Sequence, residues 1–188
     1  KEGKGMEDRK GKKVRRLILF IDSGDTLVDE GSECRAAGSE VVERAQLTEG
    51  AKEAILLLKK EGFTIALVAD GIRESFENVY RQHGLRDAFD VWAVSEEVGE
   101  EKPSPRMFRA AMDALGLQDA DKGRILMAGN NLKRDILGAN RFGITSVLMS
   151  WSPRYCMTPE GPEEEPDYTV RTPGELAALL LRLDAEVE

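Results

Sequence analysis

Apolar residues along this chain fall into short unbroken runs separated by longer stretches of helical periodicity. Leu17–Ile21 is one such run, and it stops abruptly at a carboxylate, Asp22, followed by the small polar turn Ser23-Gly24-Asp25-Thr26. Runs of this kind suit strands buried on both faces of a parallel sheet, whose carboxyl edge presents functional groups to ligands. Phe63–Ala69, Val91–Ser95, Arg124–Ala128 and Ile144–Met149 predict four further strands, and Tyr168–Val170 a short sixth. Between them, Thr48 predicts the cap of a helix reaching about Glu61, with Ala51, Ala54, Ile55 and Leu58 as its buried stripe and Gly62 as its stop. Glu74–His83, a helix opened by Ser104-Pro105, Leu132–Arg141 and Pro173–Asp184 complete the helical set. Val28–Gln46 reads as a polar loop with a short hairpin or helical turn, Glu96–Glu101 as an acidic loop, and Ser150–Pro166 as a long connection. Strand–helix alternation with short links predicts the α/β class, a Rossmann-like three-layer sandwich around a central parallel sheet.

Charge changes this picture only at one end. Residues 1–16 hold eight Lys/Arg against three Asp/Glu and read as a basic, disordered arm. The chain's formal charge is −8, so residues 17–188 carry −13. So acidic a body argues against nucleic acid as a partner. No apolar run is long enough to span a bilayer, and no apolar segment follows the basic arm as in a signal peptide. Cys34 and Cys156 match no metal-binding spacing and read as free thiols, which suits a cytoplasmic location. At 188 residues, 41% apolar and 33% charged, the chain suits one domain over 17–188.

The candidate chemistry lies where strands end. Asp22, Asp70, Lys102 (after a loop) and Asn130 close four successive strands, and Asp135 follows one helical turn later. Carboxylates, an ammonium and a polar cluster on one sheet edge describe a phosphoryl-transfer site, in which a carboxylate attacks phosphorus or holds Mg²⁺ and the lysine offsets negative charge. His83 reads as a packing or helix-capping residue rather than a catalyst. Trp151, Arg154 and Tyr155 follow the fifth strand and overhang the same edge, where they read as rim or partner contacts.

In this order and spacing the motifs resemble the haloacid dehalogenase superfamily over about Leu17–Leu183. Asp22-Ser-Gly24-Asp25-Thr26 matches the first motif, Leu67-Val-Ala69-Asp70-Gly71 the second, Lys102-Pro103 the third, and Gly129-Asn130-Asn131 with Asp135 the fourth. The resemblance implies a Mg²⁺-dependent phosphatase or phosphotransferase with Asp22 as nucleophile and Lys102 as electrostatic support. It places the phosphate against Ala69, Asp70, Gly71 and Lys102, and the metal on Asp22, the Gly24 carbonyl, Asn130 and Asp135. It also implies that Val28–Gln46 is a flap too short to be the helical cap of many relatives. A small phosphorylated substrate or an unknown protein is the expected partner, a homodimer is the expected assembly, and the apolar runs are too short for a membrane partner to be expected.

Three positions depart from the family pattern. Gly24 stands where family phosphatases carry a general acid, and Asp25, one residue on, is expected to point elsewhere. Ala69 lacks the phosphate-binding hydroxyl, and Asn130 replaces a metal-binding carboxylate. Loss of a general acid costs about 10²–10⁴ in rate, and loss of one phosphate donor about 10² more. Weak turnover of generic phosphate esters is therefore expected, and the alternative is a catalytically impaired protein that binds a ligand or partner.

Overall fold

The structure, a computed structural model, describes residues 16–187. The basic arm expected over residues 1–16 lies outside them except for Arg16. Strands β1 (Ile18–Ile21), β4 (Thr64–Ala69), β5 (Val91–Val94), β6 (Ile125–Gly129), β7 (Thr145–Met149) and β8 (Tyr168–Val170) form one sheet in the order β5-β4-β1-β6-β7-β8. Every adjacent pair is parallel. The α/β, Rossmann-like reading of the fold is therefore borne out.

Side-chain alternation along the strands divides the interior into two cores. Leu19 and Ile21 of β1, with Ile65 and Leu67 of β4, pack under helices α1 (Ala51–Lys60), α2 (Arg73–Gln82) and α6 (Pro173–Glu186). Ile18 and Phe20, with Ala66 and Val68, face α4 (Pro105–Ala114) and α5 (Leu137–Phe142) on the other side. Both faces of each central strand are covered, which is why these strands read as unbroken apolar runs. Ile21 pairs with Leu67 on one side and Ala128 on the other, so the chain leaves β1, β4 and β6 at the same edge.

The differences from expectation lie in polar segments. Val28–Gln46 is an antiparallel hairpin, β2 (Val28–Arg35) against β3 (Val42–Leu47), with register shifts around Cys34. Only Val28, Val42 and Ala45 of these strands are buried, so little apolar alternation exists to announce them. Thr48 does not cap α1. The helix starts at Ala51 behind Gly50, whose φ is 78°, and the buried Thr48 hydroxyl has no partner among the described residues. Ser95–Val98 is a one-turn helix, α3, which takes the last residue expected in the strand Val91–Ser95 and the first half of the stretch read as an acidic loop. Ser104 does cap α4, accepting from the Arg106 N–H. His83 ends α2 and its Nε2 lies 2.8 Å from the Ala45 carbonyl, a structural role. Among the described residues no helix is long and apolar enough to cross a membrane. Cys34 and Cys156 are free and exposed.

The entry of β1 is fixed by the last helix. Buried Asp184 accepts the backbone N–H groups of Arg16 at 2.8 Å and Leu17 at 2.9 Å. Asp184→Ala leaves the buried Leu17 N–H without that acceptor and is expected to cost about 1–3 kcal/mol, read as a lower denaturation midpoint with an unchanged slope.

Candidate active site

Asp22 continues β1 by one residue, its N–H donating to the Ala128 carbonyl at 2.9 Å. The chain then tightens into a helical turn, with Leu27 and Val28 N–H both donating to the Ser23 carbonyl. Ser23 is anchored beneath by the buried Tyr80 hydroxyl at 2.7 Å. This turn leaves Asp22 as the group at the carboxyl edge. One oxygen accepts from Lys102 Nζ at 2.8 Å and the other lies 3.4 Å from Thr26 Oγ1.

Lys102 gathers the site's electrostatics. Its side chain is buried, and its ammonium also contacts the Val68 carbonyl and Asp135 Oδ1, each at 2.8 Å. Burial alone pulls an ammonium's pKa down, but Asp135, Asp22 and Asp70 outweigh it and hold Lys102 above its ordinary value. Burial pushes Asp135 up to about 7, helped by repulsion from Asp22 and opposed by Lys102. Burial likewise raises Asp70, partly offset by Lys102. Asp70 does positional work: its Oδ1 accepts the Lys102 N–H at 2.9 Å, and Arg134 stands 3.6 Å from its other oxygen. The Lys102–Pro103 peptide is cis.

Asn130 and Asp135 are brought in by the turn after β6. Asn131 caps it, accepting from the Lys133 and Arg134 N–H groups, and the turn over Leu132–Ile136 is widened to π geometry. Widened turns of this kind are frequent at functional sites. Gly129 is required by this packing, because a Cβ there would collide with the Asp135 carboxyl group.

The edge therefore brings together Asp22, Gly24, Asp70, Lys102, Asn130 and Asp135 around a recess of about 50 Å³. The expected phosphate-binding groups are less complete. Ala69 is buried and has no hydroxyl, and the Gly71 N–H already donates to Ser95 Oγ at 2.8 Å. For a divalent cation the donor set is a fit. Hard cations take oxygen ligands, and Asn130 presents a buried amide whose Nδ2 has no partner among the described residues. Turned over, that amide offers an oxygen at the recess that Asp22 also lines. Both Asp135 oxygens are engaged, by Lys102 and by the Asn131 N–H, which suits a role through water. Asp22 and Gly24, the other residues expected to hold the metal, line the same recess as Asn130.

Asp25 has turned away from the chemistry. It occupies a left-handed conformation, φ 48°, one that Asp tolerates better than most residues. Its side chain is buried, with Oδ1 accepting the Glu30 N–H at 3.1 Å and Oδ2 contacting Ser152 Oγ and Arg154 Nε. Arg154 is thus tied to the flap, and its Nε also lies 3.4 Å from Glu30. Tyr155 lines the recess, so the loop after β7 does contribute to the rim, while Trp151 is half-buried. Asp25→Ala should lower stability by about 1–3 kcal/mol, measured by denaturant titration, since it strands the Glu30 N–H and removes one of the two carboxylates that Arg154 contacts.

Glu30 is the site residue that the sequence reading missed. It comes from β2, and a Cβ placed on Gly24 would lie 2.7 Å from its Cδ. The carboxyl group therefore fills the space that a side chain at residue 24 would occupy. Burial raises its pKa, with repulsion from Asp25 adding to this and Arg154 opposing it. The one available signal was the exchange of residue types at Gly24 and Asp25, which removes a side chain from the turn and leaves room for another.

Comparisons with known proteins identify the family. The family model for haloacid dehalogenase-like hydrolases matches residues 9–143. A glyceraldehyde 3-phosphate phosphatase of Methanopyrus kandleri is 30% identical over 130 residues, 69% of this chain and 54% of that protein. The pyrophosphatase PpaX of Halalkalibacterium halodurans is 32% identical over 127 residues, 66% of this chain and 55% of that protein. The chain thus spans about half the length of these curated relatives. A crystal structure of an uncharacterized protein from Listeria monocytogenes serotype 4b superposes with a TM-score of 0.72 at 26% identity, covering 90% of this chain and 99% of the other. With its strand-end residues in the expected order and a family match over more than half its length, this chain belongs to the haloacid dehalogenase-like hydrolases.

Proposed function

We propose that this protein is a Mg²⁺-dependent phosphatase-type hydrolase that transfers a phosphoryl group to Asp22 from a small phosphorylated substrate. The observation that carries this reading is the Asp22–Lys102 pair at 2.8 Å on the carboxyl edge of the central strand. Lys102 orients the Asp22 carboxylate and offsets the charge of an approaching phosphoryl group. Thr26 supports the second Asp22 oxygen, and Asp70 fixes the backbone of Lys102. When bound by Asp22, the Gly24 carbonyl and Asn130, Mg²⁺ supplies charge neutralisation at the phosphoryl oxygens. Ala69 contributes no hydroxyl, so part of the phosphate affinity rests on Lys102 and backbone groups.

The names of the relatives support the same class, since the similar proteins include phosphatases and a pyrophosphatase. Residues 17–188 act in this reading as one core domain without a large cap. The hairpin and the loop after β7 reach the recess through Glu30 and Tyr155, with Arg154 of that loop tied to Asp25 and Glu30.

A binding-only role is the second reading, favoured by Ala69 and by the occupied Gly71 N–H. A panel of phosphomonoesters, acyl phosphates and pyrophosphate, assayed with and without Mg²⁺ beside Asp22→Ala, separates the two. Metal-dependent turnover near 1 s⁻¹ or faster that disappears in Asp22→Ala establishes the enzyme. Turnover that survives Asp22→Ala refutes it.

A further inference from the structure

We propose that Glu30 is the general acid and base of this site, replacing from the flap the carboxyl group that the turn after β1 lacks at Gly24. The proposal rests on the phosphoryl-transfer reading above and deepens it.

Three observations carry it. Glu30 fills the volume beside the Gly24 backbone where a side chain on that residue would project. It lines the recess containing Asp22 and Lys102, and also a larger cleft of about 340 Å³ between the hairpin and α2. With phosphate in the recess and the rest of the substrate in the cleft, the bridging oxygen lies at their junction, beside Glu30. The third observation is support. The Glu30 N–H is held by Asp25 Oδ1 at 3.1 Å, and Arg154, paired with the same Asp25, stands 3.4 Å from its carboxyl group. Asp25 and the rim loop thereby hold a flap residue at the recess that contains the nucleophile, as a precise proton donor requires. The unusual Gly24-Asp25 order gains a reason: Gly24 vacates the space, and Asp25 anchors the residue that enters it.

The chemistry balances in two steps. An Asp22 oxygen attacks phosphorus, the bond from phosphorus to the leaving oxygen breaks, and the Glu30 carboxyl gives that oxygen its proton, releasing an alcohol. Water then attacks the phosphorus of the aspartyl phosphate and gives a proton to the Glu30 carboxylate. The bond to Asp22 breaks, phosphate leaves, and Glu30 is again protonated.

The test compares a poor and a good leaving group in the full chain with Mg²⁺, using glycerol 2-phosphate and p-nitrophenyl phosphate. Glu30→Gln should lower kcat/KM for the alkyl ester by about 10²–10⁴ and the p-nitrophenol burst by less than about tenfold. Phosphorylated protein should then accumulate in acid-quenched samples, because the second step lacks its base. Gly24→Asp combined with Glu30→Ala, which empties the space, returns a carboxyl group to it and should recover alkyl-ester turnover relative to Glu30→Ala. Asp22-dependent turnover that Glu30→Gln leaves intact overturns the Glu30 assignment alone. So does an equal loss on both esters that excess Mg²⁺ repairs, which makes Glu30 a metal ligand. If neither ester shows Asp22-dependent turnover in the unmodified protein, the phosphoryl-transfer reading falls and this proposal with it.

Discussion

Lys102→Met is expected to lower stability and activity together, and by large amounts. The buried Lys102 ammonium stands 2.8 Å from both Asp22 and Asp135, and Asp135 is itself buried. Methionine keeps the length and apolar stem but leaves these carboxylates without their cation. Removing one partner of a buried ion pair costs about 3–5 kcal/mol. For a domain of this size that is roughly 6–20 °C in Tm. Lys102→Met combined with Asp135→Asn removes the stranded charge and should recover much of the stability by thermal melting. Activity should not return, because the phosphoryl group still lacks its cation. A Lys102→Met protein as stable as the unmodified one would show that these carboxylates do not depend on the ammonium.

Asp22→Asn is expected to have the opposite profile: full folding and no turnover. The amide is nearly isosteric with the carboxylate and keeps one oxygen for Lys102, and the Asp22 side chain is only 14% exposed at the mouth of the recess. Asparagine cannot form the acyl phosphate, so the rate should fall by at least about 10⁴-fold. Circular dichroism and a phosphate-release assay on one preparation read both halves. Loss of fold would invalidate the activity comparison, and retained activity would remove Asp22 from the mechanism.

The residues that were legible in the sequence are those whose position follows from the chain alone. The Leu17–Ile21 run placed Asp22 at a strand end because both faces of β1 are buried, and the same logic located Asp70 and Asn130. Lys102 was legible as a motif, although its role as common partner of Asp22 and Asp135 depends on an approach across 80 residues. The hairpin was only weakly visible, because it buries so few apolar groups. Glu30 was signalled only indirectly, through the side chain missing at Gly24. Nothing in its neighbourhood, Val28-Asp29-Glu30-Gly31, separates it from solvated flap charges; only the folded turn shows the space at Gly24 that it enters. Asp25 illustrates the reverse case, a carboxylate adjacent to the motif that the turn directs into packing with Ser152 and Arg154.

The central claim is a covalent one, so the most direct measurement looks for the covalent bond. The protein is mixed with Mg²⁺ and radiolabelled acetyl phosphate, quenched in acid within milliseconds, digested, and the labelled peptide identified by mass spectrometry. The account predicts an acid-stable, base-labile and hydroxylamine-labile phosphoryl group on Asp22, absent from Asp22→Asn. Label on another residue, or turnover of the substrate with no labelled intermediate in either the unmodified protein or Glu30→Gln, would contradict it.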